Sequence, residues 1–150
     1  MTARAAGDMA RLLAPSGRPV EDVFRDGITA WLDGAAANHQ IWLAATEGWP
    51  RAPELRELWL GVGKAVGEQI AVVIDRDRAA GVAPPGADAQ ALGATLAWAT
   101  ERAFHVALFG GHGTLTGLDA IVEPLVQLYV GTIYGRPIVP AAPTNAPGDS

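Results

Sequence analysis

Glu101 and His105 stand four residues apart in the run LGATLAWATERAFHVAL, where few other side chains are polar. On a helix, that spacing puts both side chains on one face. A carboxylate and an imidazole so placed could supply two ligands to zinc or iron, or a base and its orienting partner. A catalytic metal site typically needs a third protein ligand, however, and neither His39 nor His112 has a spacing that demands convergence. No H-E-x-x-H, Gly-x-Ser-x-Gly or phosphate-cradling glycine loop is present. The motif census therefore argues against an enzyme, implies no metal and no cofactor, and makes His105 a pocket-wall or core histidine. Glu101, if buried, needs a hydrogen-bond donor or must take up a proton. Two other polar clusters receive no function. Gly110-Gly111-His112-Gly113 reads as a helix-to-helix turn, and Asp75 to Arg78 as a solvated helix end with local charge pairing.

The elements that must position these groups are all helical. From Glu54 to Gly81, Leu55, Leu58, Trp59, Val62, Val66, Ile70, Val73 and Ile74 recur at three- and four-residue spacing, the mark of one long amphipathic helix. Gly61, Gly63 and Gly67 interrupt its apolar stripe, each costing about 1 kcal/mol of helix stability relative to Ala. Missing side chains on a core-facing stripe suggest space for a small molecule between helices. Before this helix, Thr2–Leu13 reads as the end of a helix, Pro19 to about Ala36 as a second, and Asn38 as the cap of a short third that stops at Gly48-Trp49-Pro50. After it, Asp88 caps a helix from about Ala89 to Leu108, and a last helix runs from about Leu118 to Tyr134, with Pro124 in its first two turns. RPIVPAAPTNAPGDS, with four prolines and no periodicity, reads as a disordered tail. No stretch alternates as a strand would. The expectation is an all-α, single-domain bundle of about six helices. Residues 1–14 would be the remnant of a helix, 18–135 the folded domain and 136–150 the tail. The last two helices, unusually apolar, would form an antiparallel hairpin that builds a four-helix bundle in a homodimer.

Composition narrows the function classes further. A formal charge of −5, a single lysine (Lys64) and scattered arginines lack the clustered positive charge that nucleic acid requires. The absence of cysteine excludes disulfides and thiolate metal sites. Arg4, Asp8 and Arg11 break up the N-terminus before an export signal can form, and no apolar run is long enough to span a bilayer. A cytoplasmic protein without a membrane partner is expected.

Several strings, in order and at matching spacing from about Phe24 to Gly135, resemble the C-terminal ligand-binding and dimerisation domain of TetR-family transcriptional regulators. They are Phe24-Arg25 with Gly27-Ile28, Glu57-Leu58-Trp59, Val73-Ile74-Asp75 followed by Arg78 and Gly81, Glu101-Arg102, and Thr132-Ile133-Tyr134-Gly135. The resemblance implies a narrow apolar channel between helices. Carried over position by position, its lining is Phe24, Gly27, Trp31, Trp59, Gly63, Val66, Gln69, Ile70, Val73, Ala97, Thr100, Glu101, His105 and Tyr129. Small residues at Gly63, Val66 and Ala35, with His105 and Gln69 in place of aromatics, imply a wider and somewhat more polar channel than the family's. Without such a channel, Trp31, Trp59 and Tyr129 would be ordinary core, while Trp42, Trp49 and Trp98 read as packing or interface residues. Glu101 could hydrogen-bond a polar group in the channel together with Thr100 or Gln69, or pair with an arginine from another helix. The family's DNA-binding helix-turn-helix would precede Pro15 and is not recognisable there; the resemblance makes residues 1–14 the remnant of the helix linking that segment to this domain.

The resemblance thus implies an effector-sensing, dimerising domain for a hydrophobic or amphiphilic small molecule. DNA would be a partner only through an N-terminal helix-turn-helix outside these residues. The competing reading is a ligand-free dimerisation module that pairs with intact regulators through residues from about Asp88 to Tyr134.

Overall fold

The computed structural model describes residues 17–48, 51–110 and 113–135. Among them five α-helices appear in order: α1 (Val20–Ala37), α2 (His39–Gly48), α3 (Pro53–Ala79), α4 (Ala89–His105), which runs into a π-helical turn at Val106–Gly110, and α5 (Asp119–Tyr134). No strand occurs among the described residues. The expected helix at Thr2–Leu13 and the tail from residue 136 lie outside them.

Local chemistry accounts for the helix limits. Pro19 sits one residue ahead of α1, with ψ of 134°, and its carbonyl accepts from the Asp22 and Val23 amides. Pro53 opens α3 after an extended Ala52, the conformation a following proline favours. At the other end, Gly81 takes φ of +69° while the Gly81 amide bonds the Arg78 carbonyl and the Val82 amide bonds that of Asp77. These paired bonds form a Schellman motif, which only a residue tolerant of left-handed φ closes without strain. Asp88 caps α4 as expected, its carboxylate accepting from the Ala91 amide at 2.8 Å. Asn38 does not cap α2. Its side-chain amide turns back to donate to the Gly34 carbonyl at 2.7 Å, so it terminates α1 instead.

The helices meet unevenly. α3 packs most extensively against α4, and α5 against α1, whereas α4 and α5 touch each other little within the chain. The expected C-terminal hairpin is therefore not the principal intramolecular pair. The glycines explain the α3–α4 seam. A Cβ on Gly67 would lie 2.9 Å from Ala94 Cα and 3.0 Å from its amide nitrogen, and one on Gly93 would lie 3.1 Å from the Ala71 nitrogen. Backbone thus approaches backbone, and the room left by Gly67 is filled by α4 rather than held for a guest. At Gly63, a Cβ would collide with the Trp98 ring, 2.8 Å from its Cε2, so a side chain occupies the space there. Gly61 faces open space. Leu58, placed on the apolar stripe by periodicity, is 54% exposed.

The end of α3 also differs from expectation. Asp77 is buried rather than solvated: one carboxylate oxygen accepts from the Tyr134 hydroxyl at 2.6 Å and the other from Arg76 Nε at 2.7 Å. Arg78 donates to the Pro84 and Ala87 carbonyls and fastens the loop leading to α4. Asp77 and Arg78 therefore act as a structural clasp between α3, its loop and the C-terminal end of α5, while Asp75 is exposed. Burial removes one carboxylate of the cluster from water, and the Tyr134 donor that compensates it lies 57 positions away.

Candidate functional site

Two cavities flank Trp31, which is half-buried on α1. The first lies between α1, α3 and α5 and is lined by Phe24, Gly27, Ile28, Trp31, Val66, Ile70 and Tyr129. It encloses about 280 Å³ of space between atoms, counting its open mouth. The second is lined by Trp31, Trp42, Trp59, Val62, Gly63, Ala97, Trp98 and Glu101, and encloses about 220 Å³ on the same measure. The tightest enclosed part of each is about the size of one water. In this conformation the side chains largely close the interior.

Six of the seven residues around the first cavity belong to the lining expected from the resemblance, and Ile28 completes it. Five of the eight around the second do, namely Trp31, Trp59, Gly63, Ala97 and Glu101; Val62, Trp42 and Trp98 complete that wall. Ile28 follows Gly27 on the apolar face of α1, and Trp98 precedes Glu101 by three residues, so helical spacing carried a signal for both. Trp42 comes from α2, whose approach to α3 no local pattern specifies.

Gln69, Val73, Thr100 and His105 line neither cavity. Val73 is core. Thr100 is fully buried; its hydroxyl donates to the Leu96 carbonyl at 2.9 Å and lies 3.0 Å from the Tyr129 hydroxyl. Because the threonine proton is committed to Leu96, Tyr129 is the donor in that pair. Tyr129 thereby lines the first cavity with its hydroxyl already satisfied, and burial pushes the pKa of that phenol up to about 12.

The polar residues of the sequence constellation do not cooperate. Glu101 is 5% exposed, and its Oε1 is buried without a hydrogen-bond partner. The other oxygen has only the guanidinium of its neighbour Arg102 at 3.9 Å, whose side chain is mostly in solvent. Among the described residues no arginine from another helix reaches this carboxyl, and burial raises its pKa, opposed by the Arg102 charge. His105 Nδ1 is likewise buried and unpartnered, so the two groups do not serve each other. Burial, then the Arg102 charge, lowers the imidazole pKa, while Glu47 acts in the opposite direction. Its ring lies 5.4 Å from that of Phe109, within the π-helical turn that follows it. Among the described residues no group of three His, Asp or Glu side chains is placed to hold a metal.

Aromatic contacts stiffen the surroundings. Trp42 meets Trp59 edge-on at 4.6 Å and Phe104 at 4.7 Å, and lies 6.3 Å from Trp31 at an inclination of 57°. Phe24 packs 5.1 Å from Tyr129 and joins α1 to α5. The same two helices are bridged at the surface by Arg25, whose Nε and second amino group both reach the Glu123 carboxylate, at 2.5 and 3.2 Å. That bidentate contact holds Glu123 below the usual carboxylate range.

The all-helical fold is consistent with the C-terminal domain of a TetR-family regulator. A family model for the C-terminal domain of the transcriptional regulator EthR matches residues 24–135, and the chain belongs to that family. No curated protein matches it.

Proposed function

We propose that these residues form the effector-sensing and dimerisation domain of a TetR-type regulator, taking a hydrophobic or amphiphilic small molecule at the cavities flanking Trp31. The observation that carries this reading is the first cavity: six residues from three helices, named by the family resemblance, converge on one predominantly apolar space. The space is tight, so a guest must displace Trp31 and tilt α1. α1 is coupled to α5 through Phe24–Tyr129 and Arg25–Glu123. A homodimer built on α4 and α5 would then pass the tilt of α1 across its interface. Leu128, Gly131 and Thr132, exposed on α5, supply small or apolar surface for it. The guest acts only by favouring one helix arrangement over another, since equal affinity for both shifts nothing. On this reading, DNA would be contacted only through an N-terminal helix-turn-helix, where the natural product carries one, and not by these residues alone.

Native mass spectrometry tests the reading, because it reports subunit count and retained small molecules together. The expected result is a dimer carrying extra mass that is lost on denaturation, or gaining it from added apolar compounds. Val66→Phe, which fills the first cavity, should remain dimeric and lose the guest. A monomer would overturn the interface, and undiminished guest binding by the folded variant would overturn the site.

A further inference from the structure

Glu101 presents an unusual combination: a carboxyl oxygen buried without a partner, in the wall of a cavity whose other large side chains are tryptophans. Trp42 stands perpendicular to Trp59 and inclined by 57° to Trp31, so the rings form walls in different planes, and Trp98 closes the side over Gly63. A neutral apolar guest needs none of this polarity. An ionised carboxylate in such a place is costly unless an opposite charge or a donor meets it. Indole faces attract an organic cation through the ring quadrupole, and cages of such rings are a recurrent means of holding ammonium groups.

From this geometry we infer that the second cavity is a subsite for an organic ammonium head group, with Glu101 as its counter-ion and Trp31, Trp42, Trp59 and Trp98 as its cage. The inference rests on the effector-sensing reading and specifies the ligand class: a cationic amphiphile whose apolar part extends past Trp31 into the cavity at Val66 and Ile70. The exposed Arg102 does not meet the need, since at 3.9 Å it leaves Oε1 unpaired. The head group enters by displacing the half-buried Trp31 or Trp98, while Trp42 and Trp59, both buried, form the fixed walls.

Tryptophan fluorescence of the full chain measures the binding, because four of its five tryptophans surround the site. The probes are decyltrimethylammonium, its net-neutral analogue decyldimethylamine N-oxide, and decanol, all below micelle-forming concentration. The expected result is that the ammonium binds at least tenfold more tightly than the N-oxide. Glu101→Gln should reduce this ratio to within about threefold, chiefly by weakening the ammonium. Trp31→Leu, at a half-buried position, provides a second variant if Glu101→Gln fails to fold, and should weaken the ammonium more than decanol. Comparable binding of all three probes would overturn the cation subsite and leave the sensor reading standing. Tighter binding of the N-oxide, a strong acceptor, would overturn it in favour of a protonated Glu101 acting as donor. Failure of every probe to bind the wild-type chain would overturn the subsite and count against the sensor reading as well.

Discussion

Replacing Gly67 by Ala should destabilise the chain, although the same change at Gly61 in the same helix should stabilise it. Both substitutions gain the helix-propensity difference between Gly and Ala, about 1 kcal/mol in favour of Ala. They differ in what the new methyl meets. At Gly61 nothing lies within 4 Å; at Gly67 the methyl falls 2.9 Å from Ala94 Cα and 3.0 Å from Ala94 N. Those atoms are backbone of α4 and cannot rotate aside, so α3 and α4 must separate by about half an ångström to restore ordinary contact along the seam. Overpacking of this kind costs about 1–3 kcal/mol. Since the propensity gain is common to both, the difference between the two variants isolates the packing cost, expected at about 2 kcal/mol. Urea denaturation followed by circular dichroism, at one fixed protein concentration, measures it as a shift in midpoint at constant m-value. Gly93→Ala should cost more than Gly67→Ala, because its methyl would fall on the Gly67 carbonyl oxygen, also backbone and closer than the contact at Gly67. If Gly67→Ala proves as stable as Gly61→Ala, the glycine is not serving helix contact, and the space it leaves would belong to a guest after all.

Thr100→Val should cost about 1–3 kcal/mol by leaving the buried Tyr129 hydroxyl without an acceptor. Adding Tyr129→Phe should recover most of that loss, which a double-mutant cycle in urea would show. Tyr134→Phe removes the donor to buried Asp77 and should cost about 1.5–3 kcal/mol, towards the low end because Arg76 still pairs with the carboxylate. Glu101 gives a pH signature. Its folded pKa is raised, so the folded state holds the proton longer than the unfolded state does. Stability from this group is then full below the ordinary carboxyl value and falls as pH rises through the raised one. Glu101→Gln should abolish that decline, and thermal midpoints of the two proteins compared at pH 5 and pH 8 would reveal it. A wild-type midpoint whose pH dependence matches the variant's would contradict a buried, unpartnered carboxyl.

What the sequence discloses and what it conceals follow from the range of the interactions involved. Pro53, Asp88, Gly81 and Gly135 act within a few residues, and the structure places helix limits at each. The Asp77–Tyr134 contact spans the chain, so four alternating charges at a helix end gave no sign that one of them is buried. Among site residues, positions on the inner faces of α1 and α3 converge, whereas Gln69, next to Ile70 but about 100° around the helix, does not. Thr100 also lies beside a cavity residue, yet its hydroxyl is spent on Leu96 and Tyr129.

The glycines show why an absence in sequence is ambiguous. Gly61, Gly63 and Gly67 are identical letters on one helix, yet one faces open space, one a tryptophan ring and one another backbone. Only the middle case bears on a guest. At Gly67 the helices already touch through atoms that cannot move independently, which fixes the α3–α4 distance. Four residues earlier, the filler is Trp98, a half-buried side chain whose displacement opens space without parting the helices. On the proposed function, rigid backbone contact beside a displaceable side chain would let the seam admit a guest without sacrificing the packing that holds it together. Glu101 lies one helical turn beyond Trp98, so moving that ring is also what would bring its unpartnered carboxyl oxygen within reach of a ligand.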